Sequence, residues 1–134
     1  GIILKGIPDR VEQTKDGEYI IVDYKTGRNV KHVSNDIDTC LQVVVYAYIL
    51  EQQEGIRVSH CEYRYLRNDI TVQCDYNDDM KDRLNRKLIE FKSTLDEGIF
   101  PVATDGGSCQ YCGLTGICRN LPMYVNCNEN LISE

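Results

Sequence analysis

Two aspartates and a lysine are the residues of this sequence whose types and spacing best suit chemistry. Asp9 follows a Gly-x-Pro break formed by Gly6 and Pro8, and Asp23 stands near the end of an apolar run, two residues before Lys25. Carboxylate oxygens are ligands that Mg²⁺ prefers, and a nearby lysine can stabilise negative charge that develops on a phosphate. The pattern therefore indicates a magnesium-dependent phosphodiester hydrolase.

The elements predicted around these residues would bring both aspartates to one end of a sheet. In chain order they are a strand over 2–5 and 7–13 with a break between, an Asp-Gly turn at 15–17, and a return strand over 19–24. Because the return strand is nearly all apolar, we expect it to be central and buried on both faces. A hairpin of this kind places Asp9 and Asp23 side by side.

The remainder of the chain predicts a mixed α/β domain. The expected elements are a helix over 37–53, strands over 58–66 and 70–74, a helix over 78–96, and a cysteine-rich loop beyond residue 100. Between Leu41 and Leu50 the first helix is apolar almost all round apart from Gln42, which predicts a helix that packs on both sides.

Composition limits the class of protein. A chain of 134 residues, 42% of them hydrophobic, is typical of one globular domain. No run of eighteen apolar residues exists, which excludes a membrane span, and the first residues predict no secretory signal. The net charge of −6 argues against a free-standing DNA-binding protein, since nonspecific affinity comes from Lys and Arg. Metal ions or a basic partner would have to supply the positive charge.

The seven cysteines predict a reducing, cytoplasmic setting, because an odd number does not fit a fully paired secreted framework. Cys109, Cys112 and Cys118 share one loop, and the Cys-x2-Cys spacing indicates metal binding or redox use. Three others fall inside predicted elements and are interpreted as small core residues: Cys40, Cys61 and Cys74.

The segment 6–10, followed by Asp23-Tyr24-Lys25-Thr26-Gly27, resembles the PD-(D/E)XK nuclease superfamily and, within it, the RecB-like branch. That branch includes the nuclease domain of the AddB/RexB helicase–nuclease subunit and CRISPR-associated exonucleases. The resemblance implies a restriction-endonuclease-like core, a mixed central β-sheet flanked by helices, over residues 1–100 without its N-terminal helix. A cysteine-rich segment would fill 101–134. Glu12 is a departure, since the family pattern has aspartate there.

The resemblance also implies roles for individual residues. Asp9 and Asp23 would hold Mg²⁺ or Mn²⁺ together with the backbone carbonyl of Tyr24. Lys25 would orient the attacking water or stabilise the charge on phosphorus. The structural alternative for Lys25 is an ordinary salt bridge to Asp23.

Gln42 and Tyr46 match the Gln-x-x-x-Tyr helix that follows the Asp-x-Lys strand in RecB-like nucleases. A glutamine within an apolar helix needs a hydrogen-bond partner, which a DNA phosphate or an active-site group would supply. The alternative is a buried amide bonded to neighbouring backbone.

The cysteine triplet resembles the C-terminal part of the iron–sulfur staple of AddB-type nucleases, where a fourth, upstream cysteine completes a 4Fe–4S site. We expect a cluster in the full-length protein and an incomplete one here, with zinc, a disulfide or free thiols as alternatives. The implied function is a DNA exonuclease within an ATP-dependent helicase–nuclease that acts on double-strand breaks. Its partners would be DNA, the helicase region of the parent chain and a helicase subunit. A stand-alone CRISPR-associated exonuclease, a noncatalytic DNA-binding or scaffold module and a zinc-ribbon domain are the alternatives.

Overall fold

The computed structural model describes residues 1–30, 34–98 and 111–118. Its elements are β1 (Arg10–Gln13), β2 (Tyr19–Lys25), α1 (Ile37–Glu54), β3 (Val58–Tyr65), β4 (Ile70–Asp75), α2 (Asp78–Glu97) and α3 (Thr115–Cys118). The strands form one sheet in the order β1–β2–β3–β4, in which β2 and β3 are parallel and both outer pairs are antiparallel. The predicted mixed α/β architecture is confirmed.

The chain divides into two compact units, Gly1–Ser93 and Thr94–Glu134. The boundary expected at residue 100 stays a prediction, as does the cysteine-rich character of the structure beyond it. None of the helices within the described ranges has the length and apolar character that crossing a bilayer needs.

The β1–β2 hairpin turns at Gly17, whose φ of 83° suits glycine, as the Asp-Gly pattern predicts. The strand expected over 2–5 and 7–13 is confirmed only in its last part, since β1 begins at Arg10. Pro8 cannot donate to a strand ladder, and the Tyr24 amide beside this stretch donates instead to the Asp9 side chain. Strand pairing therefore begins only after Asp9, whose side chain accepts the hydrogen bond of the Tyr24 amide.

β2 is the central strand that its sequence predicts. Ile21 and Val22 are both fully buried, and alternation along a strand sends them to opposite faces. Ile21 belongs to the main core, in which α1 packs against β2, β3 and β4. Every second residue of β2 after Ile21 therefore also points to the side of the sheet that faces α1.

α1 begins after Asp36, whose side chain accepts a hydrogen bond from the Asp38 amide, and ends at Gly55 with φ 64°. The expectation that it packs on both sides is wrong. One face is buried, and it carries Ile37, Cys40, Val43, Val44 and Ala47. Leu41 is 37% exposed and Gln42 is also exposed. The helix therefore buries one face fully, keeps Val45 and Tyr46 partly buried, and exposes Leu41 and Gln42.

Cys40 of α1 and Cys74 of β4 are fully buried and joined by a disulfide, with an S–S distance of 2.16 Å. Their interpretation as separate small core residues is thus corrected, because helix and strand bring their side chains together. Cys61 is a free, buried thiol as expected. Burial raises the pKa of the Cys61 thiol well above its usual range.

α2 starts at Asn77, whose side chain accepts a hydrogen bond from the Met80 amide. Met80 and Leu84 enter the same core as α1, whereas Phe91, further along the helix, is 51% exposed. The N-terminal half of α2 is thus the part of the helix that packs into this core.

Candidate active site

The C-terminal end of β2 carries the residues around which the site is built. Because side chains alternate along a strand, Asp23 and Lys25 follow Ile21 on the side that faces α1. Asp23 is only 4% exposed and is the one charged residue of the described core. A buried carboxylate needs a compensating charge or hydrogen bonds, and neighbouring side chains supply both.

A connected set of side chains links β2 to α1. Lys25 Nζ lies 2.7 Å from Asp23 Oδ2 and donates a hydrogen bond of 2.6 Å to Gln42 Oε1. The Gln42 amide nitrogen donates to Asp23 Oδ1 at 2.9 Å and to the Tyr46 hydroxyl at 2.9 Å. The alternative of a buried Gln42 bonded to backbone is wrong. The salt bridge between Lys25 and Asp23 is present, but as one part of this network.

Asp9 is held at the same end of β2 by the backbone. The Tyr24 amide donates a hydrogen bond of 2.8 Å to Asp9 Oδ2, so this carboxylate is tied to the residue between Asp23 and Lys25. Asp9 is exposed, in contrast to Asp23. The hairpin therefore brings the two aspartates to one place, as their positions in the sequence predict.

Gly6 packs against the ring of Tyr46. A Cβ at position 6 would lie 2.6 Å from Tyr46 Cδ1 and closer still to Cε1, which no real Cβ tolerates. The glycine of the Gly-x-Pro break is thus required for close approach rather than for a special φ. This contact connects the segment that carries Asp9 to the helix that carries Gln42.

The two aspartates fit a hard divalent cation. Asp23 Oδ2 is buried and has no hydrogen-bond partner among the described residues, although the Lys25 ammonium lies within ion-pair distance. The contact supplies charge without a well-directed hydrogen bond, so the oxygen keeps a lone pair to offer. Mg²⁺ is commonly held by one or two carboxylates and retains several waters, which suits Asp9 and Asp23. Within the described ranges no third His, Cys, Asp or Glu completes a metal cluster.

An open pocket of about 440 Å³ adjoins this network. Lys25 and Gln42 line it, together with Leu41 of α1 and Tyr63 of β3. The partial exposure of Leu41, unexpected for the helix that the sequence predicts, is explained because this side chain faces the pocket. The side of the site on which Lys25 presents its ammonium is therefore open to a ligand.

The predicted cysteine ligands are only partly described. Cys112 is an exposed free thiol, and the backbone amide of Leu114 donates a hydrogen bond of 3.4 Å to its sulfur. Cys118 is the last residue of α3, and Cys109 lies outside the described residues. The gathering of these cysteines therefore stays a prediction.

Sequence reasoning missed two features near the site. Arg64 of β3 donates two hydrogen bonds, of 2.7 and 2.9 Å, to the carboxylate of Glu12 and also pairs with Glu62. The bond from Arg64 holds the pKa of Glu12 below its usual range. Glu12 of β1 is thus bound to Arg64 of β3 within the sheet. The second missed feature, Tyr63, would have been found only from its register opposite Asp23.

The chain belongs to the PD-(D/E)XK nuclease superfamily, whose family model matches residues 1–119. Its four-stranded sheet and helices are the restriction-endonuclease-like core that the motifs predict. The chain is also similar to a "CRISPR-associated exonuclease Cas4/endonuclease Cas1 fusion" of Leptospira interrogans, with 27% identity over 120 residues. The match covers 86% of this chain and 22% of the relative, so the chain spans about a fifth of that protein's length.

Proposed function

We propose that this chain is a metal-dependent DNA exonuclease that hydrolyses phosphodiester bonds. The observation that carries the proposal is the network that joins Asp23, Lys25 and Gln42, with Asp9 anchored beside it on the Tyr24 amide. A buried carboxylate paired with a lysine that lines an open pocket is typical of a catalytic centre. A purely structural ion pair would not need an exposed glutamine to bridge its two members.

Asp9 and Asp23 would hold Mg²⁺ or Mn²⁺, with the Tyr24 carbonyl as a further oxygen ligand. When bound, such an ion polarises the scissile phosphate and lowers the pKa of a bound water. The roles of the protein groups follow from their contacts. Lys25 places a positive charge where negative charge develops on the phosphate oxygens, and the Gln42 carbonyl oxygen fixes the direction of that ammonium.

Gln42 and Tyr46 act on the other side of the buried carboxylate. The Gln42 amide donates to Asp23 Oδ1 and so leaves Oδ2 as the oxygen available to a cation. The Tyr46 hydroxyl accepts the second amide hydrogen and keeps the Gln42 side chain from rotating. The pair therefore sets which oxygen of Asp23 is free.

The net charge of −6 is compatible with a DNA substrate under this proposal. A divalent cation between the two aspartates would offset their repulsion of phosphate, and Lys25 adds a further positive charge. Affinity for DNA would then depend on the metal as well as on ionic strength. A noncatalytic scaffold would have no need of a lysine that lines an open pocket and pairs with a buried carboxylate.

Between the two parent proteins that the sequence motifs suggest, we favour a CRISPR-associated exonuclease. The name of that relative includes such an exonuclease, and the match extends over most of this chain. The helicase–nuclease assignment, with its helicase partners, stays a prediction.

We also propose that Cys109, Cys112 and Cys118 bind a 4Fe–4S cluster in the full-length protein. The hydrogen bond from the Leu114 amide to the Cys112 sulfur suits a thiolate ligand, because such bonds stabilise negative charge on sulfur. Iron and acid-labile sulfide analysis of anaerobically purified protein tests this. Cys112→Ser should lose the iron, whereas Cys61→Ala, in the core, should keep it. Zinc in place of iron would contradict the proposal.

Cleavage of end-labelled linear DNA tests the nuclease proposal. We expect degradation with Mg²⁺ or Mn²⁺ and none with EDTA, and a loss of about 10²–10³-fold in kcat for Asp23→Asn and for Lys25→Met. Asp16→Asn, in the exposed β1–β2 turn, is the matched control and should leave activity unchanged. Equal activity of Asp23→Asn and Asp16→Asn would overturn the proposal, and cleavage of circular DNA at the same rate would exclude an exonuclease.

A further inference from the structure

Tyr63 of β3 lies beneath the Lys25 ammonium. It is the residue paired with Asp23 in the parallel β2–β3 register, so its side chain shares the α1-facing side of the sheet. Lys25 Nζ lies 4.8 Å from the centroid of the Tyr63 ring. The ring is 5% exposed and belongs to the core, which fixes its position independently of any bound ligand.

We propose that Tyr63 is a positioning residue for Lys25, in which the face of its ring holds the ammonium between Asp23 and Gln42. A cation above an aromatic face is attracted by the negative charge of the ring's π-system. The inference rests on the proposed function and extends it to a residue outside the sequence motifs.

The need for such a residue follows from the other two contacts of Lys25. Its ion pair uses Asp23 Oδ2, the same buried oxygen that the proposed function requires for a cation. Its hydrogen bond is to Gln42, an exposed side chain. If Asp23 Oδ2 is committed elsewhere, the flexible lysine keeps a single polar partner among the described residues, the Gln42 carbonyl oxygen. The Tyr63 ring is then the contact that does not change.

The Tyr63 hydroxyl takes no part in positioning Lys25. Burial raises the pKa of Tyr63 to about 12, so the phenol is protonated and neutral at the pH values of about 7 to 9 at which cleavage would be measured. A phenolate would attract Lys25 through its oxygen, whereas the neutral ring presents its face. The ring rather than the hydroxyl should therefore matter for catalysis.

A matched control exists at the opposite end of the sheet. Tyr76 is 6% exposed, and Lys81 Nζ lies 4.7 Å from its ring centroid. Tyr76→Leu therefore removes an equally buried tyrosine from an equivalent lysine contact, away from the β2 terminus. Any loss that Tyr63→Leu shows beyond that of Tyr76→Leu belongs to the position beside Lys25.

The experiment measures kcat in the presence of Mg²⁺, and the NMR signals of the Lys25 ε-methylene group in the intact, metal-free protein. We expect kcat to fall about tenfold in Tyr63→Leu, which corresponds to about 1.4 kcal/mol, and to stay within about twofold in Tyr63→Phe and Tyr76→Leu. The upfield ring-current shift of the Lys25 signals should be present in Tyr63→Phe and Tyr76→Leu and absent from Tyr63→Leu.

A third probe keeps the test decisive if Tyr63→Leu folds poorly. Pentafluorophenylalanine at position 63 keeps the size of the ring but reverses its charge distribution, so kcat should fall relative to Tyr63→Phe. Equal kcat for these two rings, or unmoved Lys25 signals in Tyr63→Leu, would overturn the inference. If the wild-type protein cleaves no DNA, the proposed function fails, and the NMR arm still decides whether Tyr63 positions Lys25.

Discussion

Gly6 and Tyr46 are in contact so close that no other residue can stand at position 6 without displacing the ring, since a Cβ there would lie 2.6 Å from Tyr46 Cδ1. The contact makes two distant motifs depend on each other. The Gly-x-Pro segment leads to Asp9, and Tyr46 accepts the hydrogen bond that orients Gln42. A change at the first motif should therefore be felt at the second.

Gly6→Ala is expected to push the Tyr46 ring away and weaken its bond to Gln42. Overpacking of this kind costs about 1–3 kcal/mol in the free energy of unfolding, and nuclease activity should fall with it. Urea unfolding measures the first effect. In a Tyr46→Ala background the same substitution should cost almost nothing, because the ring is gone. Additive effects of the two substitutions would contradict the contact.

Gln42→Met keeps the length of the side chain but removes its bonds to Lys25 and Asp23. We expect kcat to fall about tenfold, since each lost hydrogen bond to a charged group is worth about 1.5–3 kcal/mol and part is regained from water. The thermal midpoint should also fall, because the buried Asp23 loses the hydrogen bond to its Oδ1. Gln53→Met, at the exposed far end of the same helix, is the control. Matching rates for both variants would remove Gln42 from the mechanism.

The bond between Glu12 and Arg64 predicts a pH dependence of stability. Because Arg64 lowers the pKa of folded Glu12, its contribution is fully present above the ordinary Glu pKa of about 4.3 and is lost as the pH falls through the lower, folded value. Arg64→Met should remove about 1 kcal/mol of stability at neutral pH and much less in acid, a modest value because both side chains are partly exposed. Urea unfolding at both pH values checks this. Arg67→Met, in the exposed turn, should show no such difference.

The Cys40–Cys74 disulfide predicts that reductant weakens the fold. The bond closes a loop of 34 residues in sequence separation, for which the loss of chain entropy in the unfolded state is about 3–4 kcal/mol. The denaturant midpoint of the wild-type protein should fall when dithiothreitol is added. The Cys40→Ala/Cys74→Ala variant should already unfold earlier and should not respond. A wild-type midpoint that ignores reductant would show the bond absent in solution.

How far the sequence predicts this molecule depends on the range of the interactions involved. The bounds of α1 follow from local chemistry, because Asp36 and Gly55 cap it whatever surrounds them. The convergence of Asp9 and Asp23 also follows, since one short hairpin joins them. The strand expected before Arg10 is wrong, because the Tyr24 amide donates its hydrogen bond to the Asp9 side chain and not to a backbone carbonyl of that segment.

Contacts across distant segments could not be predicted in the same way. The alternation of β3 shows that Tyr63 shares a face with its neighbours, but only the register against β2 sets it opposite Asp23. The bond between Cys40 and Cys74 depends on how α1 lies on β4, and the pattern of either element alone suits a buried thiol equally well. The exposure of Leu41 depends on the pocket beside it.

The parallel pairing of β2 with β3 has a consequence for the protein during its synthesis. The strand that bears Asp23 and Lys25 is flanked on one side by β1, made earlier, and on the other by β3, which emerges only after the whole of α1. Parallel pairing across an intervening helix is among the slower steps of folding. A nascent chain that ends before β3 already contains both aspartates, the lysine and the glutamine, but it lacks β3, against which α1 packs, and the Tyr63 ring that lies beneath Lys25. Under the proposed function, translation itself therefore delays the moment at which the site is complete.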